Sequence, residues 1–190
     1  MSADLEDGFG RSPDVCAETI RLAAEIGLAG GSIEDATGDA AAPIYDFTLA
    51  VDRVAAAAEM ARPRQFVLTA RAENFLHGRP DLDDTIARLL AYERAGADVL
   101  YAPGLTDLDD IGRLVAAVHR PVNVLARPCG PTVAELGRVG VARISVGGAL
   151  CFAAIGAVVE GARELLEHGT YGFFENAAVG GKAARAAFVP

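Results

Sequence analysis

The feature that most constrains the fold is a regular alternation of short apolar runs with longer amphipathic segments. Ala, Leu, Ile and Val recur at the three- and four-residue spacings typical of helices in residues 14–26, 47–61, 83–95, 108–118, 132–136 and 149–167. Short and mostly apolar runs predict strands at residues 2–6, 31–34, 66–71, 99–102, 122–125 and 143–146. Because such runs suit parallel strands buried on both faces, the alternation predicts an α/β fold of six consecutive βα units.

Two architectures accommodate such units with right-handed crossovers: a doubly wound sheet and a (β/α)8 barrel of the TIM type. Polar residues mark the carboxyl ends of the predicted strands, namely Asp4, Glu6, Glu34, Arg71, Glu73 and Asn123. A barrel builds its active site at these ends, whereas a doubly wound nucleotide-binding fold needs a G-x-G-x-x-G fingerprint after its first strand. Residues 4–10 read D-L-E-D-G-F-G and lack that fingerprint, so the barrel is favoured.

Composition limits the classes of partner and the number of domains. The 190 residues are 52% hydrophobic, which predicts one compact domain spanning residues 1–190. The net charge of −9 disfavours nucleic acid and anionic membrane surfaces as partners. Apolar runs are interrupted every few residues by Arg, Asp or Glu, so no membrane span is expected. The cysteines Cys16, Cys129 and Cys151 are odd in number and widely spaced, which favours reduced thiols and a cytoplasmic location.

Acidic residues gather at the ends of the first two predicted strands. Asp4 and Glu6 stand two residues apart, so on a strand they would share one face. Glu34 ends the next strand, and the three carboxylates could converge on a divalent cation, which prefers oxygen ligands. The alternative is a pair of solvated acidic turns, since Asp and Gly dominate turns for conformational reasons.

Four motifs in this order and spacing resemble the isocitrate lyase/phosphoenolpyruvate mutase superfamily. They are D-x-E-x-G-F-G at residues 4–10, G-G-S-I-E-D at 30–35, T-A-R-A-E-N at 69–74 and P-V-N-V-L at 121–125. The similarity covers about residues 2–174 and is greatest to the mutase-like branch. It implies a Mg²⁺- or Mn²⁺-dependent lyase or phosphonomutase-type enzyme on a (β/α)8 barrel. It also implies a 2-oxo acid or phosphonate substrate, an enolate-like intermediate, and a homodimer or homotetramer with an exchanged C-terminal helix.

The resemblance also implies roles for individual residues. Asp4 matches the acid that contacts the metal most directly, and Glu6 and Glu34 match positions that hold it directly or through water. Mg²⁺ keeps several waters and seldom takes more than one or two direct carboxylates, so this division is chemically sensible.

Arg71 matches the arginine that binds the substrate carboxylate or phosphonyl group, a role that suits its bidentate guanidinium. The alternative role for Arg71 is a buried ion pair with Glu73 or Glu34. Asn123 is the expected polar substrate contact from the fifth strand, and Gly8 of the first motif is expected to contact the substrate as well.

The loop after the second strand departs from the superfamily pattern. Lyases of the superfamily carry a Lys-Lys-Cys-Gly-His run there, whereas residues 36–45 read A-T-G-D-A-A-A-P-I-Y with neither cysteine nor histidine. Cleavage of isocitrate or methylisocitrate by that route is therefore disfavoured. Thr37, Asp39 and Tyr45 are the loop groups able to transfer a proton, and we expect the catalytic acid or base among them.

A glycine pair after the last predicted strand suggests a second kind of site. Gly147 and Gly148 open a helix and could hold a phosphate at its N-terminus, which allows an alternative function as a metal-free phosphate-binding barrel enzyme. The structural alternative is a tight strand-to-helix turn.

The match to the superfamily begins at its third strand, so about two βα units of a complete barrel of roughly 250 residues are expected to be absent. The strands near residues 2 and 143 are then expected at two unpaired or partner-covered edges, with weak or no activity. This feature allows a further alternative, a truncated and inactive paralogue acting as an oligomer subunit.

Overall fold

A computed structural model describes residues 1–188 and contains one six-stranded parallel sheet. Its strands are β1 (Ser2–Asp4), β2 (Gly30–Glu34), β3 (Val67–Arg71), β4 (Val99–Tyr101), β5 (Val122–Leu125) and β6 (Arg143–Ser145). They lie in the order β1-β2-β3-β4-β5-β6, so each strand pairs with its neighbour in sequence. Sequential parallel strands linked by helices form a curled partial (β/α) barrel, which confirms the predicted fold class.

The helices follow the predicted periodicity closely. They are α1 (Pro13–Glu25), α2 (Phe47–Ala61), α3 (Leu82–Ala95), α4 (Leu108–Ala117), α5 (Val133–Arg138), α6 (Ala149–His168) and α7 (Phe174–Ala187). A short 3₁₀ turn at Arg62–Arg64 follows α2. Helix α7 was not predicted, because Gly180 and Gly181 lower helix propensity within it and its apolar spacing is weak.

The first strand is shorter than predicted. It ends at Asp4, and Glu6 has a φ of +49°, followed by +75° at Gly8 and +61° at Phe9. A chain with these angles turns instead of continuing as a strand. The expectation that Asp4 and Glu6 share a strand face is therefore wrong.

The two faces of the sheet differ in polarity. Toward the helices the strands present apolar side chains that are almost completely buried, including Ile33, Leu68, Leu100 and Val122. The strand register places polar side chains side by side on the opposite face: Ser32, Glu34, Thr69, Arg71, Tyr101 and Asn123. In a barrel this second face is the interior, so the polar cluster lies where a barrel binds its substrate.

The outer edges of the sheet belong to β1 and β6, as predicted. Within residues 1–188 neither outer edge pairs with a further strand. Whether a partner covers these edges stays a prediction.

The contacts divide the chain into two compact units, Met1–Ser145 and a second unit that begins at Val146. The first unit holds the whole sheet and α1–α5, and the second holds α6 and α7. Within residues 1–188 every helix is too short or too polar to span a lipid bilayer.

The second unit has its own link between its helices. Glu164 of α6 accepts hydrogen bonds from the Thr170 hydroxyl at 2.6 Å, from the Gly172 N–H at 2.6 Å and from the Phe173 N–H at 3.2 Å. One carboxylate therefore fixes the turn that leads from α6 to α7.

Candidate active site

Arg71 is the centre of a cluster of carboxylates at the carboxyl ends of β1, β2 and β3. Its Nη1 lies 2.8 Å from Asp4 Oδ2, its Nη2 3.0 Å from Glu34 Oε2, and its Nε 2.8 Å from Glu73 Oε1. Each nitrogen of the guanidinium thus faces a different carboxylate. The structure therefore brings together Asp4, Glu34 and Arg71, which the sequence had singled out.

The strand register explains this convergence. Glu34 pairs with Arg71 across β2 and β3, and Arg71 pairs with Tyr101 across β3 and β4, so these side chains point to the same face. The guanidinium carbon of Arg71 lies 5.3 Å from the centre of the Tyr101 ring, within the range of a cation–π contact. Sequence reasoning missed Tyr101, although its place at the end of a strand next to Arg71 could have indicated it.

The cluster carries more negative than positive charge, because one guanidinium faces three carboxylates. Burial raises the pKa of Glu34 to about 7, the positive charge of Arg71 opposes this shift, and the carboxylates of Glu73, Asp4 and Glu6 add to it. Burial is also the first cause of the raised pKa of Glu73. A site with excess buried negative charge attracts a cation or holds protons.

Glu34 should therefore destabilise the metal-free protein at alkaline pH. Its pKa is about 7 in the folded state against an ordinary 4.5, so the stability contributed by its protonated form is lost as the pH rises through 7. At pH 8 we expect Glu34→Gln to raise the free energy of unfolding by about 1–2 kcal/mol, since Gln cannot ionise but also weakens the pairing with Arg71. Urea unfolding at pH 5 and pH 8 measures the difference.

The matched control is Glu59→Gln, which changes an exposed carboxylate of α2. Its effect should be small and equal at both pH values. A stability difference for Glu34→Gln that does not grow between pH 5 and pH 8 would show that burial does not disfavour the ionised Glu34.

The donor set suits a hard divalent cation. The Asp4 side chain is 61% exposed and Glu34 contributes a second carboxylate nearby, and carboxylate oxygens are the ligands that Mg²⁺ prefers. Within residues 1–188 no three acidic, imidazole or thiol groups converge on one point that a metal could occupy. Mg²⁺ needs only one or two direct carboxylates and keeps several waters, so the chemistry of Asp4 and Glu34 is compatible with it, and metal binding by them stays a prediction.

Glu6 lies beyond the end of β1 and is exposed. Its backbone N–H donates to Asp4 Oδ1 at 3.2 Å, and its charge contributes to the raised pKa of Glu34. Glu6 is therefore in the electrostatic field of the cluster, and its role as a metal ligand stays a prediction.

A buried network on the helix side supports the ends of β2 and β3. Asp35, 3% exposed, accepts hydrogen bonds from the Tyr92 hydroxyl at 2.6 Å, the Glu73 N–H at 2.8 Å and Arg88 Nη1 at 3.1 Å. Arg88 also binds Asp84 at 2.8 Å. Sequence analysis assigned Asp35 no role, although strand alternation after Glu34 could have placed it on the buried face.

Asn123 of β5 is buried and pairs with Tyr101, which in turn pairs with Arg71. Its side chain is hydrogen-bonded to the neighbouring strand β6. Its Nδ2 donates to Ser145 Oγ at 3.0 Å, and its Oδ1 accepts from Arg143 Nη1 at 3.3 Å. Its predicted contact with a substrate is not tested by this arrangement and stays a prediction.

The loop after β2 begins and ends at one antiparallel bridge between Ala36 and Ile44. Inside it the Thr37 hydroxyl donates to the Ala42 carbonyl at 2.6 Å, and Asp39 Oδ1 accepts the Ala41 N–H at 2.9 Å. Thr37 and Asp39, two of the three predicted proton-transfer groups, are thus engaged with the backbone of their own loop. Their predicted catalytic roles are not tested by these contacts.

Tyr45, the third predicted proton-transfer group of this loop, is buried at 4% exposure. Its hydroxyl donates to Asp7 Oδ2 at 3.1 Å, and burial raises the pKa of this phenol. Tyr45 therefore connects the loop after β2 to the loop after β1, and a catalytic role for it stays a prediction.

Gly8 is packed tightly between α1 and β2. A Cβ at this position would lie 3.0 Å from Cys16 Sγ and 3.2 Å from Ile33 Cδ1, and φ is +75°. Its N–H donates to the Leu5 carbonyl at 2.8 Å and its carbonyl accepts from Thr19 Oγ1 at 2.8 Å. These contacts explain why glycine is needed here, and the predicted substrate contact is not tested by them.

Gly147 and Gly148 form the turn into α6. Gly147 has a φ of +52°, and Gly148 is the N-cap residue of α6. The two glycines thus lie in a tight strand-to-helix turn, which is the alternative to a phosphate site. Phosphate binding here, and the metal-free function that it would imply, stay predictions.

Fold and site together define a class of protein. Six parallel βα units in sequential order, with an arginine and several carboxylates at the carboxyl ends of the strands, define a protein of the TIM-barrel type with a polar site at the catalytic end. The family model for phosphoenolpyruvate phosphomutase matches residues 1–166, and the chain belongs to this family. The predicted resemblance is thereby confirmed.

Relatives of the chain extend beyond it. The crystal structure of a candidate lyase/mutase from Burkholderia cenocepacia J2315 is 55% identical with a TM-score of 0.93, covering 100% of this chain and 69% of that one. An uncharacterised protein of Mycobacterium tuberculosis H37Rv is 36% identical over 164 residues, 86% of this chain and 60% of that protein. The oxaloacetate decarboxylase of Bradyrhizobium sp. is 30% identical over 148 residues, 75% of this chain and 50% of that enzyme. The chain therefore spans about 60% of the length of the Mycobacterium tuberculosis protein and half of the length of the decarboxylase.

Proposed function

We propose that this protein is a Mg²⁺- or Mn²⁺-dependent enzyme acting on a 2-oxo acid, breaking or forming a C–C or C–P bond through an enolate. The observation that carries the proposal is the pairing of Arg71 with Asp4, Glu34 and Glu73 at the carboxyl ends of adjacent strands. Family membership supports a lyase or mutase, and the decarboxylase named above acts on such an acid.

Arg71 supplies the anion recognition in this proposal. Its guanidinium can bind a substrate carboxylate or phosphonyl group through two parallel hydrogen bonds, which fixes both position and orientation. The exposed Asp4 carboxylate would then exchange its pairing with Arg71 for a cation and leave a guanidinium edge for the substrate. When bound at Asp4 and Glu34, the cation would neutralise the enolate oxygen as its negative charge develops.

The substrate would be limited by the loop after β2. Residues 36–45 contain neither cysteine nor histidine, so we do not propose the isocitrate type of cleavage. Thr37 and Asp39 are the proposed proton-transfer groups, because both lie in the segment that the Ala36–Ile44 bridge closes. Opening of that part would release their side chains from the loop backbone.

A thermal-shift measurement tests the metal and the substrate class together. Mg²⁺ or Mn²⁺ with oxalate, a mimic of the pyruvate enolate, should stabilise the folded protein by about 2.7 kcal/mol at 100 times the dissociation constant. For a chain of this size that free energy corresponds to a rise in Tm of roughly 5–10 °C.

Asp4→Ala should abolish most of this shift, whereas Glu59→Gln on the exposed face of α2 should retain it. The absence of any shift for the unaltered protein at millimolar metal and oxalate would refute the metal-dependent function. The proposal has three further elements. The protein forms a homo-oligomer, it is located in the cytoplasm, and this chain, which spans part of the length of its relatives, has activity.

A further inference from the structure

Arg53 of α2 is a buried cation that binds the backbone of a single loop. It is 1% exposed, and its Nη1 donates to the Gly10 carbonyl at 2.5 Å and to the Arg11 carbonyl at 2.7 Å. Its Nη2 donates to the Asp7 carbonyl. Within residues 1–188 it forms no ion pair with a carboxylate, so three neutral carbonyls of the loop after β1 are its direct polar partners.

Tyr45 completes the surroundings of this guanidinium. The guanidinium carbon of Arg53 lies 4.1 Å from the centre of the Tyr45 ring, and the Tyr45 hydroxyl donates to Asp7 Oδ2 at 3.1 Å. The segment from Asp7 to Arg11 is therefore held at its backbone by Arg53 and at its first side chain by Tyr45.

The segment needs such support because its conformation is unfavourable by itself. Glu6 and Phe9 have φ values of +49° and +61°, which side-chain-bearing residues rarely adopt. Backbone in these regions persists only where the surrounding structure over-determines it, and such sites cluster at functional positions. Arg53 gathers three carbonyls of this segment onto one planar group, which determines its path.

We propose that Arg53 is a positioning residue of the candidate metal site. It fixes the turn that follows Asp4 and thereby sets where the carboxylates of Asp4 and Glu6 stand relative to Glu34. The part of this inference that concerns the metal rests on the proposed function. Arg53 itself touches none of these carboxylates in the described hydrogen bonds and ion pairs, so it acts through the backbone of the loop.

Two measurements on Arg53→Met and Arg53→Lys test the proposal. The first is amide hydrogen exchange of Gly8 and Phe9, whose N–H groups are bonded within the loop to the Leu5 carbonyl and to Asp7 Oδ1. The second is Mn²⁺ affinity measured by calorimetry on folded protein. Arg53→Met should speed exchange at these amides by about tenfold and weaken Mn²⁺ binding by about 10–100-fold, as loss of a supporting residue does at metal sites.

Arg53→Lys keeps the charge but cannot span three carbonyls, so it should give intermediate values and guards against a Met variant that fails to fold. The matched control is Ile20→Ala in α1, which removes a fully buried side chain without touching the carbonyls. It should lower overall stability and leave both measurements near those of the unaltered protein.

Loop exchange within about twofold of the unaltered protein in both Arg53 variants would overturn the proposal. Faster exchange with unchanged Mn²⁺ affinity would also overturn it, since the loop would then not set the site. If the unaltered protein binds no Mn²⁺, the proposed function fails, and the exchange data alone decide whether Arg53 fixes the loop.

Discussion

Asp35→Ala is expected to lower the free energy of unfolding by about 3–5 kcal/mol, the scale for removing one partner of a buried ion pair. The substitution leaves the buried Arg88 without its buried carboxylate partner. It also removes the acceptor of the Tyr92 hydroxyl at 2.6 Å and of the Glu73 N–H at 2.8 Å. Urea unfolding followed by circular dichroism gives the change in free energy.

Asp52→Ala on the exposed face of α2 is the control and should change stability by no more than about 0.5 kcal/mol. Asp35→Asn should lie between the two, because the amide keeps one acceptor but loses the charge that Arg88 needs. Equal stability of the Asp35→Ala and Asp52→Ala variants would show that this network contributes nothing to the fold.

The regular elements could be predicted well because their apolar spacing is strong and their ends are marked. Helix α2 was predicted with its observed bounds, and Asp46 before it accepts the Thr48 N–H as an N-cap. Strand β5 was also predicted with its observed bounds. In both cases local sequence and tertiary packing favour the same structure.

The end of β1 could not be predicted from alternation. A two-residue period assumes extended backbone, whereas the chain turns at Glu6, and carbonyls further along this loop bind Arg53, more than 40 residues away in sequence. Such a contact between a side chain and a distant backbone leaves no periodic signal. The conformation of the loop after β2 could not be predicted either, since the side chain of Tyr45 turns inward and its hydroxyl binds Asp7 in another loop.

The convergence of Asp4, Glu34 and Arg71 could be predicted because carboxyl ends of neighbouring parallel strands meet at one edge. The sequence left open whether Arg71 binds a substrate or a carboxylate of the protein. In the structure it pairs with three carboxylates, among them both residues of the structural alternative, Glu73 and Glu34. The pairing with Asp4 is the one that a substrate anion could replace, since the Asp4 side chain is 61% exposed.

Arg71→Lys should therefore weaken oxalate binding by about 1.5–3 kcal/mol, the scale of a hydrogen bond to a charged group, while metal binding stays nearly intact. Lysine keeps the positive charge beside Glu34 and Glu73 but presents a point charge in place of a planar fork, so bidentate recognition of the anion is lost. Calorimetry with Mg²⁺ first and oxalate second separates the two binding steps.

The matched control is Arg88→Lys, because Arg88 is also a buried arginine between two carboxylates, with 7% of its side chain exposed against 12% for Arg71. Its partners Asp35 and Asp84 belong to the helix-side network, so this variant should lose stability and keep its oxalate affinity. If both variants lose stability alike and neither loses oxalate affinity, Arg71 has the structural ion-pair role. A loss of affinity confined to Arg71→Lys would instead show that the exposed edge of this guanidinium recognises the substrate anion.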